Sequence, residues 1–169
     1  ALPPWLSSLS NLRLLDVSGN NNVNLSGITA LTQLDTLVLQ NLDLSQPMGT
    51  EQISTFAKRI LPNLEPLSKL KVLSLGGNRF TRLPDCLAKM TSLEVIDFNG
   101  NKELQVLSPL TPIISALPNL RIMDFRHVHK EKGTAYWSDA KCTTMKFLAA
   151  AAKLLKRRKY ASRLIIDRD

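Results

Sequence analysis

The sequence predicts an α/β solenoid, in which short parallel strands stack into one sheet and helical turns lie on the opposite side. Three observations predict this fold. The frame Leu-x-x-Leu-x-Leu-x-x-Asn, or a close variant, recurs five times between residues 12 and 128. The segments between the frames also repeat, since residues 2–12 match residues 83–93 position by position. Hydrophobic residues make up 44% of the 169 positions, which is enough for a continuous core.

Each frame predicts one short strand. In Leu-x-Leu the two apolar side chains share one face of an extended strand, and the residue between them faces the other way. A strand this short cannot bury that face alone, so successive copies must stack side by side. The predicted core positions are Leu12, Leu15 and Val17; Leu34, Leu37 and Leu39; Leu70, Leu73 and Leu75; Leu93, Ile96 and Phe98; and Leu120, Met123 and Phe125.

An asparagine closes three of the frames, at Asn20, Asn78 and Asn101. The chain must turn after each strand, which leaves backbone groups pointing inward without a ladder partner. A side-chain amide supplies both a donor and an acceptor for them, so we predict a structural role. The second frame has Leu42 at this position with Asn41 one place early, and its turn geometry is therefore open.

The segments between the frames predict helical turns. The pattern Leu-Pro-x-x-Leu is typical of a single turn that begins at proline and packs on the strand layer. Successive frames lie 22, 36, 23 and 27 residues apart, so two repeats carry insertions. The longer insertion, near residues 47–62, predicts a short extra helix over residues 50–60, with Thr50 as its cap and Pro62 just beyond its end. This helix is either a longer version of the ordinary helical turn or a dedicated binding insertion.

On these frames the sequence resembles the leucine-rich repeat superfamily over residues 1–128, and in particular its class of roughly 23-residue repeats common in intracellular proteins. The resemblance implies a concave sheet, convex helical turns and an inward ladder formed by the three asparagines. It also implies recognition of a protein partner on the concave face. The irregular repeats are similar to the C-terminal repeats of plant-type intracellular immune receptors and to Ras-associated repeat proteins. Because the chain begins within a repeat, we expect an excerpt of a longer protein.

The chain divides into leucine-rich repeats at residues 1–129 and a basic tail at residues 130–169. The tail carries +7 of the net charge of +8. Residues 137–155 predict an apolar helix that caps the open end of the solenoid, and residues 164–166 predict either a strand or another packed segment. The basic residues of the tail fit a solvated helix end, a nuclear-import signal, a nucleic-acid contact or an anionic-membrane contact: Lys153, Lys156, Arg157, Arg158 and Lys159.

Other patterns limit the function classes. Cys86 and Cys142 form no cluster of the kind that caps secreted relatives, which favours a reducing, intracellular location in the cytoplasm or nucleus. His127 and His129 lack further ligands at a supporting spacing. Nucleophile and phosphate-binding motifs are missing from the sequence. We therefore expect no catalysis, cofactor, metal or small-molecule substrate.

The strand residues outside the core predict the binding surface as three rows across the sheet. The aliphatic row is Leu14, Thr36, Val72, Val95 and Ile122. The aspartate row is Asp16, Val38, Ser74, Asp97 and Asp124. The charged row is Arg13, Asp35, Lys71, Glu94 and Arg121, whose alternating signs predict ion pairs between neighbouring strands.

The aliphatic row without Thr36, together with the aspartate row, is the predicted contact surface. It suits a protein that offers apolar anchors and some Lys or Arg. Two alternatives stay open. The β-branched residues suit a strand by propensity alone, and the chain could instead be a scaffold whose basic tail docks on nucleic acid or an anionic membrane.

Overall fold

The computed structural model describes residues 2–20, 23–45, 59–104, 110–128 and 163–165, which contain eight short strands in two parallel sheets. The larger sheet has the order β1 (Leu14–Asp16), β2 (Thr36–Val38), β5 (Val72–Ser74), β6 (Val95–Asp97), β7 (Ile122–Asp124) and β8 (Arg163–Ile165). The smaller sheet pairs β3 (Leu44–Ser45) with β4 (Arg59–Ile60). The five strands predicted from the frames are all confirmed.

The middle residue of each repeat strand points into the core. Leu15, Leu37, Leu73, Ile96 and Met123 are aligned across the sheet, and all but the half-buried Leu15 are fully buried. The flanking strand residues are more exposed in most strands. This alternation is what a two-residue side-chain period requires of strands with one buried face.

A layer of helical turns covers the other side of the core. It consists of 3₁₀ turns at Pro4–Ser8, Ile28–Ala30 and Asp85–Lys89 and an α-helix, α1, at Leu110–Ala116. Leu6, Ile28 and Leu87 are the residues that these 3₁₀ turns bury. The turns after Pro3 and Pro84 are confirmed as predicted. Helix α1 replaces a 3₁₀ turn in the repeat that carries the shorter insertion.

A chain of three phenylalanine rings crosses the core along the stack of repeats. Phe98 contacts Phe80 edge to face, with ring centroids 5.6 Å apart, and Phe125 in a stacked arrangement at 5.9 Å. All three are buried. Aromatic pairs of this geometry add roughly 0.5–1.5 kcal/mol beyond the burial of their area.

The insertion after β2 differs from the prediction at its C-terminal end. Residues 59 and 60 were predicted to be the last residues of a helix, but Arg59–Ile60 forms β4 and pairs with β3. The ladder continues, because the Leu61 N–H donates to the Ser45 carbonyl at 2.8 Å. Pairing with an already extended neighbour satisfies these backbone groups better than a helix end would. The rest of the predicted helix, residues 50–58, lies outside the described residues.

The sheet continues beyond the last frame. Strand β8 pairs in parallel with β7, with Arg163 opposite Ile122 and Leu164 opposite Met123. Of the two predictions for this segment, the strand is therefore correct. The predicted helix over residues 137–155 lies outside the described residues.

Candidate functional site

The face of the large sheet opposite the core, here called the open face, displays the aliphatic row. Leu14, Thr36, Val72, Val95 and Ile122 lie in register on β1, β2, β5, β6 and β7. Leu14 is 59% exposed, and the other four are half-buried. The predicted register is confirmed; the role of these residues in binding stays a prediction.

The aspartate row also lies in register on this face, but its carboxylates bond to the backbone of the turns that follow the strands. In three repeats the carboxylate accepts the backbone N–H two residues later, as an Asx turn does: Asp16 from Ser18 at 2.9 Å, Asp97 from Asn99 at 2.8 Å, and Asp124 from Arg126 at 3.0 Å. Hydrogen bonds from the hydroxyl and the N–H of Ser18 lower the pKa of Asp16. These aspartates therefore have a structural role that the sequence reasoning missed.

A polar cluster joins three neighbouring strands at the end of the open face. The Gln40 amide donates to Ser74 Oγ at 2.6 Å and to Asp97 Oδ2 at 3.1 Å, and the Ser74 hydroxyl donates to Asp97 Oδ2 at 2.7 Å. Gln40 was not among the predicted residues. Its position two places after Val38, on the same side of an extended chain, is the signal that could have found it.

Two members of the aspartate row are poorly placed for direct contact with a partner. Ser74 and Asp124 each expose 7% of their surface. Arg126 covers the carboxylate of Asp124 with an ion pair of 2.6 Å. These two residues support their neighbours, and the accessible members of the row are Asp16, Val38 and Asp97.

The charged row forms ion pairs between neighbouring strands, as its alternating signs predicted. Arg13 lies 3.7 Å from Asp35, and Glu94 lies 3.8 Å from both Lys71 and Arg121. Exposed pairs of this kind contribute about 0–1 kcal/mol each, so they set the charge pattern of the rim more than the stability of the sheet.

The asparagines form the predicted ladder in two of their three positions. Asn78 donates to the carbonyls of Leu39 and Leu75 at 2.7 and 2.9 Å, and its oxygen accepts the N–H groups of Leu42 and Leu44. Asn101 bridges its own repeat and the preceding one in the same way. Asn20 differs, because it is exposed and its amide donates to Val17 and Ser18 of its own turn.

The third residue after each of β1, β2, β5, β6 and β7 lies in the left-handed region, and Asp43 (φ 60°) is a second such residue after β2. The five φ values are Gly19 71°, Asn41 54°, Gly77 65°, Gly100 74° and His127 54°. The second repeat therefore keeps the common turn, because Asn41 adopts the conformation that glycine adopts elsewhere. Leu42 enters the core in place of the asparagine side chain. His127 belongs to this turn row and is exposed.

A second surface feature lies on the helical side. A cleft of about 180 Å³ is lined by Leu61, Pro62, Pro84 and Cys86, with Glu65 and Arg82 at its edge. This volume is below the range of about 300–1,000 Å³ typical of ligand pockets. Burial raises the pKa of the Cys86 thiol, so the thiolate is disfavoured at this cleft.

The remaining predicted residues are those of the basic tail. Lys153, Lys156, Arg157, Arg158 and Lys159 lie outside the described residues. Within the described part of the chain, no helix has the length and apolar character needed to cross a membrane.

Comparison with known proteins identifies the repeats. Residues 68–112 match the family model of leucine rich repeats in two copies. The chain is 32% identical to leucine-rich repeat-containing protein 58 of Xenopus tropicalis over 94 residues, and this aligned segment covers 55% of the chain and 24% of the relative. It is 30% identical to the receptor protein-tyrosine kinase CEPR1 of Arabidopsis thaliana over 118 residues, and this aligned segment covers 69% of the chain and 11% of the relative. The chain thus spans a quarter or less of the length of these relatives.

The solved structures that are similar to the chain include two internalins. One is an internalin (inlF) from Listeria monocytogenes, at 24% identity and a TM-score of 0.45, covering 75% of this chain and 38% of the internalin. The other is an internalin C2 from the same species, at 22% identity and a TM-score of 0.43, and the match covers 80% of this chain and 60% of the internalin C2. The repeat frames, the solenoid built from them and the match over residues 68–112 show that the chain belongs to the leucine-rich repeat superfamily.

Proposed function

We propose that the chain is a recognition module that binds a protein partner on its open face. The observation that supports the proposal is the aliphatic row. Val72, Val95 and Ile122 lie side by side and are partly exposed to solvent. Contiguous exposed apolar side chains on a soluble protein indicate an interaction surface.

The rest of the open face suits a protein partner. The charged row carries both signs along one side of the aliphatic row, and Asp16 and Asp97 lie on the other. An apolar centre with charged edges is the usual anatomy of a protein interface, in which the centre supplies affinity and the edges supply specificity.

We further propose that this recognition serves a longer, receptor-type protein. The support is the relative named as a receptor protein-tyrosine kinase, of which the matched segment is a small part. An intracellular location stays a prediction of the cysteine pattern.

The experiment is affinity capture with three variants of the whole chain. Val72→Glu and Val95→Lys place charges in the aliphatic row, and Thr32→Glu places one at an exposed position outside the sheet as a control. We expect the first two variants to lose the same partners that the wild-type and control chains retain, with unchanged circular dichroism and melting temperature. A partner set that is unaltered in both row variants would move binding away from the open face.

A further inference from the structure

The aliphatic row offers a ligand no hydrogen bonds. Strands β2, β5, β6 and β7 each have a strand on both sides, so their backbone groups are engaged in the sheet. Of the five side chains in the row, Thr36 alone carries a polar atom. A polypeptide segment that lies along the row must therefore satisfy its own backbone groups, since an unsatisfied buried group costs about 1–3 kcal/mol.

An α-helix meets this condition and an extended peptide does not. All interior N–H and C=O groups of a helix are paired within it. An extended segment would turn a share of its backbone groups toward aliphatic side chains that cannot pair with them. The chemistry of the row therefore favours a helical occupant.

The spacing of the row points the same way. Parallel strands lie about 4.8 Å apart, and one turn of an α-helix advances about 5.4 Å. A helix that runs across the strands can place about one apolar contact on each. Side chains on one face of an extended peptide are about 6.7 Å apart and lose this match by the second strand. The row from Leu14 to Ile122 spans about 20 Å, the length of about 13 helical residues.

The two edges of the row differ in charge. Along the charged row the basic side chains are more exposed than the acidic ones: Arg13 57%, Lys71 56% and Arg121 48%, against Asp35 39% and Glu94 30%. This edge therefore presents mainly positive charge to a ligand. The opposite edge presents the carboxylates of Asp16 and Asp97, whose hydrogen bonds come from uncharged groups and leave their negative charge in place. The third carboxylate of this edge, Asp124, is paired with Arg126.

From these three features we infer that the open face takes an amphipathic α-helix of a partner protein, laid across the strands, with acidic residues along the edge facing Lys71 and basic residues along the edge facing Asp97. This inference rests on the proposed function and names the class of ligand for the same surface. The opposed edge charges fix the direction in which the helix runs along the row, because the reversed helix would place like charges together.

The test is a selection with two displayed peptide libraries of equal length, about 18 residues, which is enough to span the row at about 1.5 Å per residue. One library has a helix-forming framework with variable positions along one stripe and both flanks. The other is interrupted by prolines, which exclude a helix. Both are selected on the whole chain, and the enriched peptides are synthesised and titrated by fluorescence anisotropy against the wild type, Val95→Lys and Thr32→Glu.

We expect the enriched peptides to come from the helical library, to lose about tenfold or more in affinity for Val95→Lys, and to keep it for Thr32→Glu. Giving both flanks of a peptide the same charge should weaken binding, and full affinity after that change would overturn the inferred charges of the two edges. Enriched proline-containing peptides that depend on Val95 would overturn the helix while leaving the open-face function intact. If no enriched peptide depends on Val95, both the helix and the open-face function are wrong.

Discussion

The side-chain amide of Asn78 donates a 2.7 Å hydrogen bond to the backbone carbonyl of Leu39, which belongs to the preceding repeat. The same side chain accepts the N–H groups of Leu42 and Leu44 at 3.0 and 3.1 Å. One buried residue therefore satisfies backbone groups on both sides of a repeat boundary, including those of the repeat that has Leu42 in place of its own asparagine.

Replacing Asn78 with alanine should lower the free energy of unfolding by at least about 3 kcal/mol, because it leaves several buried backbone groups unpaired. Asn20→Ala is the matched control. It should cost under about 1 kcal/mol, since that residue is exposed and water can replace its bonds. Urea unfolding followed by circular dichroism measures both. Equal losses in the two variants would contradict a bridging role for Asn78.

The left-handed turn residues allow a comparison of backbone strain with steric overlap. Gly19→Ala should lower the free energy of unfolding by about 1 kcal/mol. An added Cβ there meets no atom within 4 Å, so the positive φ is the only source of strain. Gly77→Ala should cost more than about 2 kcal/mol, because its Cβ would overlap Oδ1 of Asn41. Adding Asn41→Gly to Gly77→Ala should recover part of this loss. No recovery in the double variant would show that the overlap is not the cause.

The C-terminal strand should stabilise the sheet edge beside β7. A chain that ends after residue 162 lacks β8, whereas one that ends after residue 165 keeps it. We expect the shorter chain to melt at a lower temperature and to aggregate, because an unpaired edge strand is a template for association. Light scattering during a thermal ramp compares the two. Identical behaviour would mean that β8 adds nothing to the sheet.

The thiol of Cys86 should react slowly in the folded protein. Burial raises its pKa, so the reactive thiolate forms only at higher pH than in a free cysteine. Alkylation of a Cys142→Ser variant should therefore accelerate in urea. Folding favours the neutral thiol, so its contribution to stability is complete below the pKa of the unfolded state and is lost as pH rises toward the pKa of the folded state. Equal alkylation rates in the folded and unfolded chain would contradict this.

The basic tail should not bind nucleic acid if the open face is the functional surface. The expected result is no detectable binding to mixed DNA or RNA at about 50 mM salt, where phosphate contacts are strong. Binding that weakens steeply with added salt, and that is lost when Lys156, Arg157, Arg158 and Lys159 are changed to glutamine, would instead support the tail as the functional element.

The repeat strands and their register could be predicted from the sequence because each frame carries its own alternating pattern. Strands β4 and β8 could not be placed with the same precision. Each has only two or three residues. Each forms because the edge of a neighbouring strand is available for pairing, and no local sequence pattern announces that edge. The turn role of Asp97 was missed for a related reason, since a carboxylate on a strand fits both an external contact and an Asx turn. Only the geometry shows the Asx turn.

The insertion between β2 and β5 leaves the ladder between them intact. Leu39 and Asn41 donate their N–H groups to Ser74 and Gly76, although 35 residues separate each pair along the chain. Distance in sequence and distance in the stack are therefore independent in this molecule. Natural selection can lengthen or shorten one connection without changing the pitch of its neighbours, and the same freedom makes this connection a suitable place to graft a foreign loop or an epitope tag.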